Sequence, residues 1–154
     1  MSKNVSPEAT DNLLPIRVDV ALLIYSDTLS PGDISDRLRI EATASAVQGV
    51  TIGRRTGTRM VIPKHMWEFS SESHVPIREF DRHLSWLLGR LVAEQDALRA
   101  IRDCGSTEIQ LIGHVWTAGS GAHVHLKKAA LEQLVAMDLE LHLEFADYEE
   151  GEVT

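Results

Sequence analysis

The sequence has little cysteine, few aromatic residues and no long apolar run. Cys104 is the only cysteine in 154 residues, which excludes an internal disulfide and a zinc site built on cysteines. No apolar run approaches the roughly 20 residues that a membrane span needs. Residues 1–12 also lack the basic start and apolar core of a secretory signal. We therefore expect a cytoplasmic protein that does not contact a membrane.

Basic residues are also scarce. The 15 lysines and arginines are outnumbered by 23 acidic residues, which gives a net charge of −8. Nucleic-acid binding draws much of its affinity from neutralised phosphates, so this charge argues against a nucleic-acid partner and favours a basic protein surface. The basic cluster of Arg54, Arg55 and Arg59 lies in a Gly/Thr-rich segment. It is a candidate loop for an anion or an acidic partner, with a solvated loop as the ordinary alternative.

Common catalytic and nucleotide-binding signatures are missing. The sequence has no GxSxG, HExxH, Walker-type or GxGxxG motif, so we expect no catalytic residues and no cofactor. A metal site stays open as an alternative. His123 and His125 form a His-x-His pair whose imidazoles point the same way in extended backbone and can share a metal ion. With His114 and His142, such a site would make the protein a metal-binding sensor or a metal-dependent enzyme.

Apolar periodicity is the strongest positive signal. Apolar residues between Ile77 and Ile101 recur three, four and seven apart, with Pro76 before the run and Gly105 after it, which predicts one long amphipathic helix. Ser30 to Asp33 has the residues of a capping box and predicts a short helix. A further helix is predicted at about Leu126 to Met137, with Leu131, Leu134 and Val135 as its apolar side. Strands are predicted at Ile16–Tyr25, Val47–Ile52, Arg59–Ile62, Met66–Ser70, Thr107–Thr117 and Leu139–Phe145.

The element order β-α-β-β(-β)-α-β-α-β predicts one α+β domain over residues 15–148. We expect a two-layer, ferredoxin-like sandwich in which helices cover one face of a mostly antiparallel sheet. Residues 1–14 are polar and aperiodic and predict a flexible N-terminal tail, while residues 149–154 predict an acidic C-terminal tail.

Three segments of the sequence are similar to one known family. They are Tyr25 to Pro31 leading into Ile34 and Leu38, Trp67 to Ser71 followed by His83-Leu84 and Leu87-Leu88, and Leu131 to Leu143. Together they resemble the bacterial family catalogued as domain of unknown function 4279, over about Val18 to Tyr148. The resemblance implies a small bacterial α+β domain and brings no catalytic residues with it.

The side of the sheet that faces away from the helices is the best candidate for function. Outward positions on three predicted strands carry aromatic, histidine and acidic side chains, which is more varied than solvation requires. The predicted partner-binding residues are Tyr25, Ile112, His114, Trp116, Glu140, His142 and Glu144. Such a face is a solvated surface, an interface for a protein partner or a second copy, or a metal site built from His114, His142 and a glutamate. We expect a non-catalytic module that binds another protein, in the manner of an immunity protein.

Overall fold

The computed structural model describes residues 15–53, 57, 59–118 and 121–147. The predicted tails lie outside the described residues, as do Arg54 and Arg55 of the predicted basic loop. The elements, in chain order, are β1 Arg17–Ser26, α1 Pro31–Leu38, β2 Ala44–Ala46, β3 Thr51–Gly53, β4 Arg59–Val61, β5 His65–Ser70, α2 Phe80–Leu91, a 3-10 turn Val92–Glu94, α3 Gln95–Arg102, β6 Thr107–Thr117, α4 Lys128–Ala136 and β7 Leu141–Asp147.

Five strands form one sheet in the order β2-β5-β1-β6-β7, and β3 and β4 form a separate hairpin. Strands β6 and β7 are parallel, while the other pairs are antiparallel. The α+β class and the mostly antiparallel sheet are therefore confirmed. The ferredoxin-like order is not, because that fold is built from split β-α-β units. Here β1 has antiparallel neighbours on both sides, and the crossover unit is β6-α4-β7.

The apolar core lies between the sheet and the helices. Val20, Leu22 and Ile24 of β1 are fully buried, and so are Leu84 and Leu88 of α2. Helix α2 packs on β1, α1 on β5 and α3 on β6. As the alternation around Trp67 predicts, its ring and that of Phe69 are buried while Glu68 lies on the other side. The Trp67 indole N–H donates to Ser35 Oγ at 2.9 Å, which satisfies the polar atom of this buried ring.

The capping box that the sequence predicts is present at α1. Ser30 Oγ accepts a hydrogen bond from the Asp33 amide, and Asp33 Oδ2 accepts one from the Ser30 amide. Ile34 and Leu38 of this helix are fully buried. The first N–H groups of a helix have no partner within the helix, and the capping box supplies hydrogen bonds for two backbone donors at this end of α1.

The prediction of a single long helix from Ile77 to Ile101 is wrong. Helix α2 begins at Phe80, and the 3-10 turn at Val92–Glu94 separates it from α3. Ile77 precedes the helix and is 47% exposed. The break coincides with a change of packing partner, because α2 packs on β1, β6 and α4 while α3 packs on α1 and β6. One straight rod would not follow both surfaces.

Two other apolar segments are more exposed than predicted. Leu134 of α4 is buried, but Leu131 is 45% and Val135 is 81% exposed, so the buried side of the helix runs through Ala130 and Leu134 instead. Strand β7 lies at the sheet edge and carries exposed Leu143 and Phe145.

The prediction of one strand over Val47–Ile52 is wrong, since β2 ends at Ala46 and β3 covers only Thr51–Gly53.

Candidate functional site

The side of the five-stranded sheet opposite the helices, named the open face below, carries the predicted partner-binding residues of β1, β6 and β7. The register places Tyr25 beside Glu108, and Ile112 beside both Ala21 and His142. Strand β5 adds Met66, Glu68 and Ser70 to the same face. Glu140 is exposed and lies just before β7, with its carboxylate 4.0 Å from His142 Nε2. The residues predicted on separate strands are therefore brought together on one surface.

One end of the open face is built around Trp116. The Arg17 guanidinium carbon lies 4.5 Å from the centre of the Trp116 ring, and the His114 and Trp116 rings are 5.6 Å apart. Arg17 also forms an ion pair with Glu72. A guanidinium over an indole gains cation–π attraction, so this contact fixes a flat aromatic surface that remains half-exposed.

Asp19 lies at the centre of the open face and is only 7% exposed. Its carboxylate accepts a hydrogen bond from Ser70 Oγ at 2.6 Å, and Ser71 Oγ lies 3.3 Å from the same carboxylate oxygen. His114 Nδ1 lies 3.8 Å from Asp19 Oδ2, and His114 Nε2 lies 3.3 Å from Glu144 Oε2. Asp19 therefore lies on the outward side of β1 and is held there by its neighbours.

A buried polar network connects Asp19 to the helical layer. Ser71 Oγ lies 2.7 Å from His83 Nδ1 and accepts a hydrogen bond from the Val20 amide. His83 Nε2 lies 2.7 Å from the Ile77 carbonyl oxygen, so that nitrogen carries the proton and donates it. Burial lowers the pKa of His83, against smaller opposing effects of the Ile77 carbonyl and of Asp19. The ring therefore acts as a neutral clamp between strand and helix.

The sequence interpretation missed Ser71 and His83 as network members. The signal for His83 was its position directly before Leu84, on the apolar stripe of α2. A polar residue on a buried stripe needs a hydrogen-bonding partner. Nothing in the sequence pairs it with Ser71, since that contact depends on where β5 ends relative to α2.

Glu68 gives the open face an acidic corner. Burial raises the pKa of its carboxyl, and Asp19 and Glu72 raise it further, while His114 acts in the other direction. An open depression of about 310 Å³ adjoins it, lined by Thr43, Ala44, Glu68, Ser70, Glu72 and Ser73. Among the described residues, no lysine or arginine forms an ion pair with Glu68. This corner therefore keeps a negative potential next to accessible space, which His114 and the Arg17–Glu72 ion pair reduce only in part.

A larger groove lies where the β3–β4 hairpin meets the other end of the open face. It has a volume of about 480 Å³ and is lined by Tyr25, Ala46, Met60, Ile62, Pro63, Lys64, Met66, Glu108 and Gln110. The pKa of Tyr25 is raised by its partial burial, with additions from Glu68 and Glu108. Arg59 is exposed on the hairpin strand β4 and does not line the groove. Mostly apolar walls with one acidic and one basic side chain, Glu108 and Lys64, suit an amphipathic protein segment.

The predicted His-x-His pair lies away from this face, in the segment before α4. His123 and His125 are exposed, whereas Ala122, Val124 and Leu126 between and beside them pack on the core. In the described part of the chain, no group of three or more His, Cys, Asp or Glu side chains is arranged to hold a metal ion. The metal site therefore stays a prediction that rests on two ligands.

Comparisons with known proteins bear on the family and not on an activity. No helix within the described ranges is long and apolar enough to cross a membrane. No curated protein and no solved structure matches this chain. One family model matches residues 16–148, a range that contains every described strand and helix. The chain therefore belongs to the family described as Domain of unknown function (DUF4279).

Proposed function

We propose that this protein is a non-catalytic binding module of the bacterial cytoplasm whose open face holds a protein partner with a basic surface. The observation that carries the proposal is the half-buried Glu68 carboxylate, which lies beside Asp19 and Glu72 with its pKa raised. A cationic side chain from a partner would neutralise this corner, and a charge-assisted hydrogen bond there would gain strength from the partial burial.

The aromatic end of the open face supports the same proposal. Trp116 is half-exposed and held flat beneath Arg17, and Tyr25 is half-exposed at the groove. Tryptophan, tyrosine and arginine are the residues most enriched at energetically important positions of protein interfaces. Aromatic anchors that flank an acidic centre suit a partner whose basic residues are surrounded by apolar ones.

The overall charge agrees with a basic partner. The chain carries 23 acidic and 15 basic residues, and Arg17 of the open face is already paired with Glu72. Complementary charge speeds association and disfavours partners of the wrong sign. By analogy, an acidic inhibitor of a basic toxin, such as an immunity protein, would use this arrangement.

Site-specific photo-crosslinking in the source cells tests the proposal. A photoreactive amino acid replaces Trp116 in one variant and Val135, which is 81% exposed on α4, in the matched control. We expect a protein adduct at position 116 that is missing at position 135. The partner identified in this way is then purified. The affinity of this protein for the partner should fall at least about tenfold in Glu68→Lys, and it should also fall with added salt.

Three results would overturn the proposal. One is that position 116 yields no adduct. Another is that positions 116 and 135 capture the same proteins. The third is that the purified partner binds Glu68→Lys as tightly as it binds the unmodified protein.

A further inference from the structure

Strand β7 is a long edge strand whose outer side is not covered by any described strand. It pairs with β6 on one side, and no described strand pairs with its other side. The opposite edge strand, β2, has only three residues, whereas β7 has seven, without proline or lysine. Long, exposed edges present unpaired backbone N–H and C=O groups and are templates for another strand.

The two rows of side chains on β7 have different chemistry. Leu141, Leu143 and Phe145 lie beside Leu111, Gly113 and Val115 of β6, which places them on the helical side of the sheet. Leu143 is 37% and Phe145 is 57% exposed in spite of that position. His142 and Glu144 lie on the open face. The outer edge of the core is therefore left uncovered by the described residues.

We propose that two copies of this chain associate through their β7 strands, antiparallel and centred on Leu143, to form one continuous ten-stranded sheet. In this register Leu143 lies opposite Leu143 of the second copy, and Leu141 lies opposite Phe145. Directly opposed residues of an antiparallel pair point to the same side, so the exposed apolar rows cover each other.

Charge complementarity selects the register. Centred on Leu143, the pairing places His142 opposite Glu144 of the second copy, and the reciprocal pair follows from the two-fold axis. A pairing centred on His142 opposes Glu140 to Glu144, and one centred on Glu144 opposes that residue to itself. Both alternatives bring like charges together across strands, which is unfavourable.

The dimer is formed by the outer edge of β7, which shares His142 and Glu144 with the open face but leaves Glu68, Trp116 and Tyr25 accessible to a partner. A two-fold axis normal to the sheet keeps the open faces of both copies on the same side of the molecule. Two binding faces in one assembly would add avidity toward a partner that presents repeated sites. The edge pairing does not depend on whether the open face binds anything.

The mass of the full chain in solution, measured by sedimentation at micromolar to millimolar concentration, tests the pairing. We expect a dimer whose dissociation constant rises at least about tenfold in Phe145→Glu. Val135→Glu is the matched control, since it adds the same charge to an exposed apolar position of α4, and it should leave the dimer unchanged. Circular dichroism checks that each variant is folded.

Complementary variants test the register. Alone, His142→Glu should weaken the dimer because it opposes two glutamates, and Glu144→Lys should weaken it because it opposes Lys to His. Mixing the two variants restores attraction at both pairs, so a heterodimer should form more tightly than either homodimer. A monomer at every concentration, a dimer unaffected by Phe145→Glu, or a mixture no tighter than its components would overturn the proposal.

Discussion

On the helical side of β1, Val20, Leu22 and Ile24 are fully buried by apolar packing, whereas on the open face Asp19, Ala21 and Leu23 are buried without a helix above them. There the cover consists of side chains from the neighbouring strands, such as Glu68 and Gln110 beside Leu23. Low exposure on a central strand therefore has two origins. The helical face stabilises the fold, and the open face is available for contacts with another molecule.

The largest effect that would sharpen this comparison is expected on the helical side. Leu22→Ala should lower the free energy of unfolding by about 2–5 kcal/mol, since it leaves a cavity in the core. Ile112→Ala on the half-exposed open face should cost about 1 kcal/mol. Denaturant unfolding of both variants measures the difference. Equal losses would mean that the open face is packed as a second core.

Gly113 provides a steric test of the helical side. A Cβ at this position would lie 2.5 Å from two ring carbons of Phe80 and 3.0 Å from Leu143 Cδ2. Gly113→Ala should therefore cost about 1–3 kcal/mol in the free energy of unfolding through overpacking.

Gly89→Ala is the matched control for this test. Apart from the neighbouring residues and backbone of its own helix α2, no described heavy atom lies within 4 Å of a Cβ built at Gly89. This substitution should stabilise the protein by up to about 1 kcal/mol. A neutral Gly113→Ala would contradict the close contact between α2 and β6.

The buried network between the two faces predicts a pH dependence. Because burial lowers the pKa of His83 in the folded protein, the unfolded chain binds more protons just below the normal histidine pKa. The contribution of His83 to stability is present above about pH 6.5 and is lost as the pH falls toward the lowered pKa, by at most about 1.4 kcal/mol per pH unit.

His83→Gln isolates this contribution because glutamine keeps a hydrogen-bonding side chain but does not titrate. The free energy of unfolding between about pH 7.5 and about pH 5.5 should vary less in the variant than in the unmodified protein. The imidazole of His83 should titrate below its usual range by NMR. A normal or raised midpoint would show that the ring is not a neutral clamp.

The smallest effect is expected at Glu68. Its raised pKa means that the charged carboxylate destabilises the folded protein above the titration range, so Glu68→Gln should raise the thermal midpoint by roughly 1–2 °C at neutral pH. The same variant should bind a basic partner less tightly. A lower thermal midpoint of Glu68→Gln would show that the carboxylate stabilises the folded protein.

Local signals predicted much of the fold. The capping box at Ser30 and Asp33, the strand Thr107–Thr117 and the burial of Trp67 and Phe69 all follow from residues close together in the sequence. The break at Val92–Glu94 could not be predicted from nearby residues, because Leu91 and Leu98 are seven residues apart and keep the phase of one helix. Its cause is the different packing surfaces of α2 and α3.

The candidate site was predictable as a set of outward positions but not as a network. Alternation along β6 placed Ile112, His114 and Trp116 on one face. Asp19 is contacted by Ser70, the last residue of β5, and by Ser71 directly after it, which are 51 and 52 residues later in the chain. Strand order, and with it the edge position of β7, depends on such long-range pairing and leaves no local pattern.

The central position of β1 has a consequence for synthesis on the ribosome. This strand is made before both of its neighbours, and its second neighbour is complete only when Thr117 has been added. Until then one long side of β1 has no partner, and closing so long a loop carries an entropic cost. The nascent chain therefore exposes one side of this apolar strand until β6 has been made, and during this interval the strand can aggregate.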